Sequence, residues 1–145
     1  NEEKDKKTLV LYVENKAELQ VEKNFQVTGG NEDNGGCIKV DIISGGLKSD
    51  GVKIWVIAKD IKKDKKYLLQ MWLRGSDYLE VEQYSYCAVK PWKRIDDVNQ
   101  KVFITTKWQK FAREFVATLD APSEGCRITL LAGGENMSGK TILNR

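Results

Sequence analysis

The chain contains no histidine, which closes it to imidazole general-base chemistry and makes a zinc site improbable on chemical grounds. Its three cysteines, Cys37, Cys87 and Cys126, lack the CxxC spacing of metal or redox motifs. There is no glycine-rich phosphate loop, no dinucleotide fingerprint and no nucleophile elbow. Carboxylates do occur in pairs, Asp96–Asp97 and Glu80 with Glu82, and two carboxylates suffice for glycoside hydrolysis. Nothing marks these pairs out, and they are expected on solvated surface. The residue inventory points to binding and away from catalysis.

The large rings are the more informative set. Trp55, Trp72, Trp92 and Trp108, with Tyr84 and Tyr86, are many aromatics for the length. Sugar rings have apolar C–H faces edged by hydroxyls. They stack on aromatic planes while Arg, Gln, Asn, Glu or Tyr groups hydrogen-bond the edge. Trp92 stands out because it follows Pro91 in a loop, between Lys90 and the pair Lys93–Arg94. A loop indole is either an exposed platform or a plug folded back on the end of the domain. Trp55 admits the same two readings, and for Trp72 and Trp108 packing is the simpler one.

These residues need strands to position them. In Lys65–Ser76, Tyr67, Leu69, Met71 and Leu73 share one face while Leu68, Gln70, Trp72 and Arg74 share the other; alternation of this kind marks a pleated strand. Similar stretches are Thr8–Glu14, Glu18–Val27, Cys37–Ile43, Lys53–Ala58, Tyr78–Cys87, Lys101–Thr106, Trp108–Thr118, Arg127–Ala132 and Lys140–Leu143. Turn-forming clusters separate them, notably Gly29–Gly36, Ala88–Asp97 and Asp120–Gly125. The pattern predicts an all-β protein, an antiparallel β-sandwich of jelly-roll type.

With 145 residues the chain is expected to be one domain, residues 1–145. Its 24 Lys and Arg against 21 Asp and Glu leave a net charge of +3, too balanced and too scattered to predict nucleic-acid binding. No apolar run matches a membrane span or a signal peptide. The polar start, Asn1–Lys7, suggests a piece excised from a longer protein. The odd cysteine count allows at most one internal bridge, and free core thiols are the expectation.

Four blocks resemble a known family. Lys65–Arg74 resembles the "aGktYtlsfWaka" strand of carbohydrate-binding modules of families 4, 9 and 22, a galactose-binding-like group. Ile104–Phe115 resembles their "itteWqpytfeFt" strand, Gly139–Leu143 their closing "Gntiyi", and Cys37–Ile43 their "slkv.v" strand. The resemblance implies a β-jelly roll binding a polysaccharide chain on a concave face. It also implies two aromatic platforms, matched here by Trp55 and by Trp92, which stands 16 residues before Trp108. It implies a sugar-contacting arginine, matched by Arg127, 12 residues before Gly139. Leu131 replaces a histidine of one subgroup, and Ala58 replaces an acidic residue after the first platform. The family's opening and closing motifs, near which a structural calcium often sits, are not recognisable here.

The resulting expectation is a non-catalytic module that binds a plant or microbial glycan of β-glucan or xylan type. It would target an attached catalytic domain, a glycoside hydrolase in the same polypeptide, to its substrate. Trp55, Trp92 and Arg127 would carry binding, with Tyr86, Arg94 and Gln70 at the edge. Both platform rings are expected to be exposed in the free protein. The module is expected to be monomeric, without nucleic-acid or membrane partners, and extracellular or at the cell surface. No cofactor is expected beyond a structural calcium left open by the resemblance. The rivals are a structural or protein-interaction sandwich without a glycan ligand and a small polysaccharide-cleaving jelly roll.

Overall fold

The computed structural model describes residues 9–13, 18–25, 37–96 and 99–144. Ten strands run through them: β1 (Leu9–Val13), β2 (Glu18–Phe25), β3 (Cys37–Ser44), β4 (Val52–Ala58), β5 (Lys66–Gly75), β6 (Leu79–Cys87), β7 (Gln100–Ile104), β8 (Gln109–Val116), β9 (Cys126–Leu131) and β10 (Thr141–Asn144). Each coincides with an alternating stretch of sequence. The only helical segments among the described residues are short 3-10 turns at Ser49–Gly51 and Glu135–Met137. Among the described residues no helix is long and apolar enough to cross a membrane.

The strands form two five-stranded sheets, ordered β1-β4-β9-β6-β7 and β2-β3-β10-β5-β8. Every pairing is antiparallel, and each sheet joins strands distant in sequence, as a jelly roll requires. The main core lies between the sheets. Val52 and Ile54 of β4, Leu130 of β9, Val81 of β6 and Val102 and Ile104 of β7 meet Val40, Ile42, Leu73 and Ile142 from the other sheet. Because β-strand side chains alternate, the partners of these residues on β4, β9 and β6 must stand on the outer face.

A second apolar cluster sits at one end: Ile61, Cys87, Ile95, Phe115, Ala117 and Cys126. Ile95 is fully buried within it, so it anchors the segment after β6. Cys87 and Cys126 are directly opposed in the β6–β9 ladder, and both are buried, free thiols. The expectation for the Cys37 side chain falls outside the described residues, as do the opening residues 1–8.

Trp108 lies one residue before β8 and is half-buried, so it does not open that strand as the sequence suggested. Phe115 carries the burial instead, at 8% exposed. The acid pair Asp96–Asp97 was expected on the surface, but Asp96 is buried and ion-paired to Arg113; Asp97 lies outside the described residues. Arg113 also donates to Gln83 Oε1 at 2.7 Å, and Gln83 Nε2 donates to Ser85 Oγ at 3.0 Å. This polar chain ties β8 of one sheet to β6 of the other, and its charges tolerate burial because they are paired and hydrogen-bonded.

Candidate functional site

The outer face of β4, β9 and β6 holds a cleft of about 470 Å3 lined by Lys53, Trp55, Tyr84, Tyr86, Trp92, Arg94 and Arg127. Register explains the grouping. Trp55 pairs with Thr129, which pairs on its other side with Tyr84; Arg127 stands between Ile57 and Tyr86. Residues directly opposed across a ladder share a face, so three strands place these side chains together.

Arg127 is the centre of the arrangement. Its guanidinium carbon lies 4.3 Å from the Trp55 ring centroid, 5.2 Å from that of Trp92 and 5.7 Å from that of Tyr86. These are cation–π distances. Its Nε is buried and finds no hydrogen-bond partner among the described residues; the same holds for Oγ1 of Thr129 beneath the rings. The turn that starts β9 sets this position. Gly125 has φ of +86°, and a side chain there would meet Ile57 Cγ2 at 2.8 Å and Ala58 O at 2.9 Å, so only glycine fits.

Trp92 reaches the cleft from a tight turn. Its N–H donates to the Val89 carbonyl at 2.8 Å, and the enclosed Lys90–Pro91 peptide is cis, the arrangement of a type VI turn. Trp92 itself has φ of +61°, a left-handed conformation that a bulky residue seldom adopts. The chain then folds back on β6. Cys87 N–H donates to Lys93 O at 2.7 Å, and Arg94 bridges to Tyr86. Arg94 Nε donates to Asp96 O at 3.0 Å, its terminal nitrogen bonds Asn99, and Asn99 bonds Glu82. With Ile95 and Asp96 buried behind it, the turn is held at both ends. Trp92 remains 43% exposed.

Tyr84 and Tyr86 stack with ring centroids 5.0 Å apart, and the Arg94 guanidinium lies 5.6 Å from the Tyr84 ring. Burial, and then the neighbouring Tyr86, push the Tyr84 phenol up from its ordinary value, with a further push from Asp50. Its hydroxyl therefore stays protonated and can donate. No group of three or more His, Cys, Asp or Glu side chains suited to a metal occurs among the described residues.

Of the six residues singled out from sequence, the structure places Trp55, Trp92, Arg127, Tyr86 and Arg94 around this cleft. Gln70 is not among them. It is exposed on β5, in the other sheet, where the outward face points away from the cleft. Nor is Trp55 an exposed platform: it is 4% exposed, covered in part by Arg127. Lys53 and Tyr84 were not selected, although alternation along their strands put them beside Trp55 and Tyr86. The signal was present in the spacing.

No protein-family model matches the chain, and no curated protein matches it. Solved structures do. A family 4 carbohydrate-binding module superposes over 94% of this chain and 81% of its own, with TM-score 0.71 and 16% identity. The chain shares the β-sandwich jelly-roll fold of that module. The N-terminal cellulose-binding domain of Cellulomonas fimi β-1,4-glucanase C gives TM-score 0.66 at 15% identity, over 94% of this chain and 83% of that one. The second N-terminal cellulose-binding domain of the same enzyme gives 0.62 at 11%, over 93% and 80%. At such identities the module likeness concerns backbone architecture, and the cleft must be judged on its own residues.

Proposed function

We propose that this module binds polysaccharide without transforming it, holding a single glycan chain in the cleft of β4, β9 and β6. The observation that carries the reading is the placement of Trp92. A half-exposed indole is fixed at the tip of a buttressed turn, over a cleft rich in aromatic and hydrogen-bonding groups. That combination stacks a sugar ring and bonds its edge. Trp55 serves differently, as the floor on which Arg127 rests.

The glycan would be of β-glucan or xylan type, and the module would sit outside the cell, directing an attached glycoside hydrolase to its substrate. A net hydrogen bond contributes about 0.5–1.5 kcal/mol, and one platform ring adds a comparable amount, so affinity should be about micromolar or weaker. The test is affinity electrophoresis against a panel of soluble polysaccharides, with the Trp92→Ala variant alongside. Retardation by at least one polymer, lost in the variant, is expected. Failure to bind any polymer would refute the reading, and so would undiminished binding by the variant.

A further inference from the structure

We infer that the cleft selects glycan chains bearing carboxylate groups, that is, uronic-acid residues, with Arg127 as the carboxylate-binding side chain. This narrows the ligand class within the glycan-binding reading above, on which it rests. Of the seven described residues lining the cleft, Lys53, Arg94 and Arg127 are cationic and none is acidic. Lysine and arginine donate hydrogen bonds and cannot accept them. A neutral sugar hydroxyl both donates and accepts, and a site built for it offers amides or carboxylates as acceptors. Among the described lining residues the only side-chain acceptors are the Tyr84 and Tyr86 hydroxyls. A carboxylate accepts only, so a wall of donors suits it.

Two described acids next to this region do not line it. Asp50 is near enough to act on Tyr84, and Glu82 accepts from Asn99. The fork of Arg94 is engaged by Asp96 O and Asn99. Arg127 is different. Its Nε is buried without a hydrogen-bond partner, and none of the ion pairs among the described residues includes it. Three rings attract its charge yet take no hydrogen bond in the guanidinium plane. Partly buried charges are ordinarily paired, and the guanidinium fork matches a carboxylate in two parallel bonds. A one-signed cleft with aromatic walls would also concentrate an anionic chain at its mouth. A sulfate ester shares the acceptor chemistry but is tetrahedral, and a separate arm of the test distinguishes it.

The experiment uses the full chain and five polymers: glucuronoxylan, the same xylan after reduction of its carboxyl groups, polygalacturonate, a sulfated galactan and a neutral β-glucan. Titration calorimetry at low salt is expected to show glucuronoxylan binding roughly tenfold or more tighter than its reduced form. The gap should close at about 0.5 M NaCl and in Arg127→Gln. Because that substitution could loosen the fold, the comparison of native with reduced polymer on the unaltered protein decides by itself. Equal binding of the two xylans would overturn the carboxylate preference and leave the proposed function standing. Binding of the sulfated galactan as tightly as the uronates would overturn the assignment to carboxylate. Absence of binding to all five would overturn both.

Discussion

Replacing Trp55 by alanine should destabilise the fold strongly, whatever it does to ligand binding. Trp55 retains 4% of its exposure. An aromatic side chain of this class removes about 150–250 Å2 from water, or about 4–6 kcal/mol at about 25 cal/mol per Å2. An unfolded chain already hides roughly 10–40% of such area, which lowers the figure. The Arg127 contact at 4.3 Å restores about 0.5–2 kcal/mol of it. The expected loss is therefore about 3–5 kcal/mol, in the range of aromatic-to-alanine truncations in cores. For a domain of this length that lowers the melting temperature by about 6–20 °C. Urea titration followed by circular dichroism measures it, with Trp92→Ala as the control, whose exposed ring should yield a loss of about 1 kcal/mol or less. If Trp55→Ala loses less than about 1 kcal/mol, Arg127 and its neighbours do not seal that ring, and Trp55 is an open platform after all.

Trp92→Gly should abolish glycan retardation without lowering the melting temperature, because glycine adopts the left-handed conformation of that position freely; a drop of several degrees would mean the indole plugs the fold. Asp96→Asn should cost about 3–5 kcal/mol by leaving Arg113 buried without its counter-charge, and a melting temperature equal to wild type would show that pair to be idle. Burial, and then Cys87, push the Cys126 thiol up to about 12 from 9.0. The unfolded chain then loses this proton first as pH rises, so stability should fall between about pH 9 and 12, and Cys126→Ser should flatten the decline in urea midpoints. Reductant should leave the melting temperature unchanged, since Cys87 and Cys126 are free thiols; a large fall would reveal a bridge.

The strand pattern was legible because each strand buries one face and leaves the other, and that alternation is written locally. The face shared by Trp55, Arg127 and Tyr86 could be read in the same way, strand by strand. What alternation does not encode is which sheet a strand joins. Gln70 looked like a partner for the rings, yet β5 pairs with β8 and β10, and no local feature announces that. Burial on an outer face was equally hidden. Trp55 and Tyr86 point outward and are nonetheless covered, because Arg127 and the Trp92 turn lie over them. Asp96 was misjudged for a related reason: its partner Arg113 is distant in sequence, and only the closed sandwich brings the charges together.

The place of β9 between β4 and β6 has a kinetic consequence. Trp55, Tyr86 and Arg127 come from well-separated parts of the chain, and β9 is made after both of its neighbours. Until it slots between them, β4 and β6 have no ladder to each other, and Arg127 has no rings to rest on. Closing such long loops is slow compared with forming local hairpins. The cleft therefore cannot exist in a half-assembled molecule: during refolding the Arg127–Trp55 contact would report the docking of β9 on β4, and the Arg127–Tyr86 contact its docking on β6.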